Sequence, residues 1–201
     1  MSRAADVGRF VTEFARDPLH TAAVAPSSPA LAAAMVEPLP TGAEPLVVEL
    51  GPGTGAFTTA LQNRTGGRGR HLAIELNERW ARLLESRHPD VEVVVADAVA
   101  LPAVLAERGL GPVDAVVSGL PWAAYRTGSD GRRLPEIIAG VLAATGFLTQ
   151  FAYTWSRWAA PARQQLADLR SSFADVAITP TVWRNVPPAV VYQARRPTPR
   201  K

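Results

Sequence analysis

The chain has 201 residues, 47% of them hydrophobic and 19% charged, which is enough for one domain with a substantial core and too few for two. It contains no cysteine, which excludes disulfides, thiolate metal sites and a cysteine nucleophile, and its three histidines (His20, His71, His88) are too scattered to suggest a metal centre. The net charge is +3 and Lys201 is the only lysine, so the positive surface is arginine, which tolerates phosphate on lipid or nucleic acid.

No apolar run approaches the ~20 residues needed to span a bilayer, and the start lacks the order of a secretory signal, so a cytoplasmic location is expected. Residues 1–40 read as an N-terminal helical extension and 41–201 as the main domain. In ADVGRFVTEFARD, Val7, Phe10, Val11 and Phe14 share one helical stripe, with Arg3, Arg9, Glu13 and Arg16 elsewhere. Such a helix can lie in a membrane interface or close over a cleft as a lid. A second helix is predicted to begin at Ser28 as N-cap, with Pro29 in its first turn.

Short apolar runs then alternate with helical stretches. LVVEL (46–50), HLAIEL (71–76), VEVVVAD (91–97), VDAVVSG (113–119) and GFLTQFAY (146–153) read as strands, and 78–87 and 133–145 as helices. This alternation predicts βα units and a mainly parallel sheet covered on both faces. A helical segment kinked at Pro161 follows. Two β-like runs, 173–183 and 189–196, then suggest an antiparallel hairpin at one sheet edge. The tail RRPTPRK is predicted to fray.

The chemistry gathers where the strands end. The first strand runs into ELGPGTGAF (49–57), where Gly51, Gly53 and Gly55 permit a tight turn and close approach of a ligand to a helix N-terminus. Alone this loop also fits the dinucleotide pattern of an NAD enzyme. Glu75, 20 residues beyond Gly55, ends the second strand where a carboxylate can take both hydroxyls of a ribose. Asp97 and Ala98 end the third, and SGLPW (118–122) ends the fourth. Glu75 and Asp97 could instead serve only as helix caps, but their register with the glycine loop favours ligand contact.

Together these motifs resemble the class I S-adenosylmethionine-dependent methyltransferases over roughly residues 45–155. The resemblance implies an α/β, Rossmann-like, mostly parallel seven-stranded sheet with an antiparallel edge strand and N-terminal helices. It also implies that Glu49, Gly51, Gly53 and Gly55 hold the methionine part of S-adenosylmethionine, Glu75 the ribose and Asp97 the adenine amine, with Ala98 and Ser118 beside them. SGLPW is similar to the Asn-Leu-Pro-Tyr or Asp-Pro-Pro-Tyr turn of adenine-N6 methyltransferases. Ser118 replaces the carboxamide or carboxylate and Trp122 the smaller ring, while the Leu120 carbonyl remains as an amine acceptor.

RDPLHTAAVAPSSPAL (16–31), VVELGPGTGAFT (47–58), QFAYT (150–154) and RNVPPAVVY (184–192) resemble the small bacterial phospholipid N-methyltransferases, relatives of the rRNA adenine dimethyltransferases. This implies stepwise methylation of phosphatidylethanolamine towards phosphatidylcholine, a phospholipid partner, and peripheral attachment to an anionic surface at the inner face of the cell membrane. A quaternary ammonium product suits an aromatic wall, for which Trp122, Tyr125, Tyr153 and Tyr192 are candidates. Tyr192 could equally pack in an edge strand, and Trp155, Trp158 and Trp183 read as core or interfacial packing residues. Arg126, Arg132 and Arg133 flank the turn and could meet lipid phosphate. The alternatives are an rRNA adenine dimethyltransferase, a small-molecule methyltransferase of secondary metabolism, or a non-catalytic cofactor-binding protein. The residues after SGLPW are expected to finish the sheet rather than form an RNA-binding helical domain, so nucleic acid is not the expected partner.

Overall fold

The computed structural model describes residues 27–41, 44–121 and 127–198; the first amphipathic segment, Trp122, Tyr125 and Arg126 lie outside the described residues. Helix α1 (Pro29–Val36) starts as its sequence predicts, with Ser28 Oγ accepting the Leu31 N–H at 3.1 Å. The apolar runs form β1 (Leu46–Leu50), β2 (Arg70–Glu75), β3 (Glu92–Val95), β4 (Val113–Ser118) and β5 (Leu142–Tyr153). Between them lie α2 (Ala56–Thr65), α3 (Glu78–Arg87), α4 (Leu101–Glu107) and α5 (Leu134–Val141). Then come α6 (Ala160–Ser172), β6 (Phe173–Ile178) and β7 (Ala189–Pro197).

These strands make one seven-stranded sheet in the order β3-β2-β1-β4-β5-β7-β6. Strands β1 to β5 are parallel, whereas β7 runs antiparallel to both β5 and β6, so the hairpin closes one edge. The winding direction reverses between β1 and β4. That switch point leaves a crevice at the carboxyl ends of the strands, where open α/β sheets bind ligands.

Alternate residues of each strand feed two cores. Val48, Leu50, Leu72, Ile74, Val116, Leu148 and Val190 face Leu101, Val104, Leu134, Ile138 and Leu169 of α4, α5 and α6. On the other face Val47, Ala115, Val117, Phe147 and Val191 pack with α1 and α2 through Leu31, Met35, Phe57 and Leu61. Helix α1 is thus built into the domain core. Burial of a single Leu, Ile or Phe at these positions contributes about 1.5–3 kcal/mol.

The structure corrects two local expectations. Pro161 does not kink a helix but sits in the first turn of α6, after a separate 3-10 segment at Thr154–Trp158. The first turn tolerates a residue without an N–H, because that donor has no helical partner there. The predicted helix over 133–145 stops at Val141, and Leu142 already pairs with Val113 of β4. Sheet pairing there overrides the helical propensity of the alanines, through an irregular register before Ala115 meets Phe147.

Candidate active site

The glycine loop after β1 is anchored to its neighbours by backbone bonds: Gly51 N–H to Ile74 O at 2.9 Å and Gly55 N–H to Pro52 O at 3.0 Å. Gly51, Gly53 and Gly55 all have positive φ, 64°, 53° and 87°, a region that side chains with a Cβ rarely adopt. On the far side of the switch point, Gly119 donates to Leu50 O at 2.8 Å. A Cβ on Gly119 would stand 2.6 Å from the Gly51 carbonyl, so these two loops touch backbone to backbone. At Gly53, by contrast, a Cβ would meet nothing within 4 Å. The loop is tight at its base and open at its tip.

Glu75 is placed against this tip. One carboxylate oxygen accepts the Gly53 N–H at 3.2 Å and the other accepts the Asn77 N–H at 2.9 Å. Each oxygen keeps a second lone pair, so the carboxylate is oriented and can still accept from a hydroxyl. The cap of α3 belongs to Asn77, whose Oδ1 accepts from Arg79 and Trp80. Asp97 is half-buried and accepts the Val99 N–H at 3.1 Å, which opens the short turn Ala98–Ala100. The cap uses Oδ1, and the carboxylate keeps lone pairs that can accept from a ligand.

Glu49 behaves differently. It is fully buried under α2, where one oxygen accepts from Thr58 Oγ1 at 2.7 Å and from His71 Nε2 at 3.1 Å. Gln62 Nε2 lies 2.9 Å from His71 Nδ1, which positions the ring. The other oxygen of Glu49, Oε1, is buried with no hydrogen-bond partner among the described residues. Neither Thr58 nor His71 was signalled by the sequence as part of the loop's support.

On the acceptor side, Ser118 is buried at the end of β4, and the Leu120 carbonyl accepts from Gln150 Nε2 at 3.3 Å. Ser118 pairs with Leu50 on one side and Gln150 on the other, and Gln150 pairs with Tyr192. All four face the α4–α6 side, in one row at the carboxyl edge. Gln150 is completely buried and its Oε1 is without a partner among the described residues. Leaving such an amide oxygen unpaired costs about 1–3 kcal/mol. Gln150 was visible in QFAYT without a role; a carboxamide inside an otherwise apolar strand was the available signal.

The aromatic candidates separate. Tyr192 joins the Ser118–Gln150 row, 2% exposed. Tyr153 falls on the opposite face, edge-on to Phe151 and stacked on Trp155 with ring centroids 6.4 Å apart. Burial pushes its phenol up to about 12. Of the arginines, Arg132 pairs with Asp130 at 2.6 Å and Arg133 with Asp168 at 2.6 Å, so both described guanidinium groups already hold a carboxylate. Trp158 and Trp183 are not packed inside: they are 81% and 75% exposed, and Val186 is 68% exposed. Their segments meet at the carboxyl edge, where Thr154 donates to Pro188 O at 2.9 Å.

No family profile matches the chain. It is 31% identical over 192 residues, 92% of this chain and 94% of the other, to an ornithine lipid N-methyltransferase of Singulisphaera acidiphila. Among solved structures it resembles a precorrin-6y C5,15-methyltransferase of Geobacter metallireducens, with a TM-score of 0.59, 17% identity, and 83% and 87% of the two chains covered. It also resembles fibrillarin of Aeropyrum pernix with natively bound S-adenosyl-L-methionine, with a TM-score of 0.58, 17% identity, and 82% and 74% covered. Human methyltransferase-like protein 13 in complex with SAH gives a TM-score of 0.60 at 14% identity, with 83% and 78% covered. At these identities the structural matches establish the fold. The strand ends fit S-adenosylmethionine: Gly53 leaves an open approach, and two oriented carboxylates, Glu75 and Asp97, offer acceptors for hydroxyls and an amine.

Proposed function

The chain belongs to the S-adenosylmethionine-dependent methyltransferase family of its ornithine lipid N-methyltransferase relative, and we propose that it methylates the headgroup amine of phosphatidylethanolamine, stepwise towards phosphatidylcholine. When bound, S-adenosylmethionine supplies a methyl group on a sulfonium, transferred in line to the amine nitrogen. The observation that carries the acceptor side is the Leu120 carbonyl, held by Gln150 Nε2 beside the glycine loop. A carbonyl there can take an N–H of the amine and fix its lone pair, and positioning of this kind supplies much of the rate. The proton that leaves the amine goes to water.

On this reading Glu75 takes the ribose hydroxyls, Asp97 with Ala98 the adenine edge, and the Glu49–Gly55 loop with Ser118 the methionine part. Trp122, Tyr125 and Tyr192 are the aromatic surfaces that would hold a methylated ammonium, whereas Tyr153, on the opposite sheet face, packs against Phe151 and Trp155. The exposed Trp158, Trp183 and Val186 support a lipid substrate, because indole rings favour the membrane–water interface. No helix among the described residues is long and apolar enough to cross a membrane, which is compatible with peripheral attachment at the inner face. The name of the relative favours a second reading, methylation of an ornithine lipid amine.

Lipid mass spectrometry in a host that lacks phosphatidylcholine, with and without this chain, tests the proposal. Mono-, di- and trimethylated phosphatidylethanolamine should appear only with it. Methylation confined to an amino-acid lipid would transfer the assignment to the second reading.

A further inference from the structure

The structure assigns to Gln150 a role at the substrate: we infer that its side-chain Oε1 is a second acceptor for the amine, replacing the carboxamide that Ser118 does not supply. The inference rests on the reading of the substrate as an amine. The Leu120 carbonyl can only accept, so the nitrogen of the Gln150 amide must face it, which fixes the direction of Oε1. That oxygen is buried, unpaired among the described residues, and borne on the strand position that neighbours Ser118. A primary amine whose lone pair is committed to the methyl group has two N–H bonds left. The site offers two acceptors, the Leu120 carbonyl and Gln150 Oε1.

Each methylation removes one N–H. The primary amine uses both acceptors, the monomethyl amine needs one, and the dimethyl amine needs neither. Gln150 therefore discriminates between the steps and favours the first. In atoms, an N–C bond forms, an S–C bond breaks, and the N–H proton of the first two steps leaves to water. Gln150 accepts a hydrogen bond throughout and takes no proton.

The test uses the full chain and three vesicle preparations, containing phosphatidylethanolamine, its monomethyl form or its dimethyl form. Gln150→Leu should lower the rate on phosphatidylethanolamine at least tenfold, on the monomethyl lipid less, and on the dimethyl lipid hardly at all. Gln150→Glu keeps an acceptor oxygen but adds a charge, which holds the ammonium protonated to higher pH, so its pH–rate profile should shift to the alkaline side. Binding of S-adenosylhomocysteine should match wild type in both variants. An equal loss on all three lipids, or an unshifted profile for Gln150→Glu, would overturn the inference and leave the lipid reading intact. A wild-type protein that methylates none of the three lipids would overturn both.

Discussion

Asn185 ties the start of α1 to the loop before β7: its Oδ1 accepts the Ser28 N–H at 2.9 Å and its Nδ2 donates to the Pro187 carbonyl at 2.7 Å. Two sequence segments, SSPAL and RNVPPAVVY, are thereby one structural unit, joined at Ser28 and Asn185 157 positions apart. The loop held in this way also receives the Thr154 N–H, so it braces the end of β5. Asn185→Ala removes both bonds at a site only 3% exposed. The expected loss of stability is about 1–3 kcal/mol in a urea titration. An unchanged midpoint would show that the loop is held by packing alone.

Gly119 and Gly53 should respond to alanine in opposite ways. At Gly119 the new Cβ meets the backbone of the Gly51 loop, and neither partner is a flexible side chain. Stability should fall by about 1–3 kcal/mol, as for other overpacked sites. At Gly53 the space is open and the strain of positive φ is about 1 kcal/mol, so cofactor affinity should suffer more than the melting temperature. Thermal melts paired with calorimetry separate the two cases.

Glu75→Ala and Asp97→Ala should each weaken S-adenosylmethionine binding by about tenfold to a hundredfold, the loss of a charge-assisted hydrogen bond of ~1.5–3 kcal/mol. The fold should persist, because Asn77 still caps α3 when the Glu75 carboxylate is gone. Isothermal calorimetry that found wild-type affinity in both variants would remove the cofactor assignment of the two acids.

Tyr153 gives a pH signature. Its folded value is raised to about 12 by burial, above the ordinary value of about 10. The folded state therefore binds more protons than the unfolded state between these limits. The stability it contributes is complete below pH ~10 and is lost as the pH rises towards ~12. Denaturant titrations should show a steeper alkaline decline for wild type than for Tyr153→Phe. Parallel declines would place the phenol in contact with water.

The strand-end placement of Glu75 and Asp97 was legible, because strand ends can be read from apolar runs. Glu75 and Asp97 each required only their own segment and the loop. Gln150 was not legible in this way. Its placement comes from lateral pairing with Ser118 across β4 and β5 and from a bond to Leu120, neither of which has a local pattern. The same holds for the Glu49–His71–Thr58 cluster, assembled from β1, β2 and α2. The early stop of α5 escaped for a related reason: Leu142 leaves the helix for a partner in β4, and the alanines after it carry helical propensity regardless.

Exposure of Trp158 and Trp183 predicts a second contact with lipid, independent of the amphipathic N-terminal segment. Replacing both with Ser should reduce flotation with anionic liposomes, leaving the melting temperature unchanged because neither ring is packed. Equal flotation would assign membrane contact elsewhere.

Methyl transfer to a lipid amine can be followed with methyl-labelled S-adenosylmethionine offered with phosphatidylethanolamine vesicles, ornithine lipid vesicles or ribosomal RNA in separate tubes. Label should enter phosphatidylethanolamine, and Trp122→Ala should strongly reduce it. Label in RNA and in neither lipid would contradict transfer to a lipid amine.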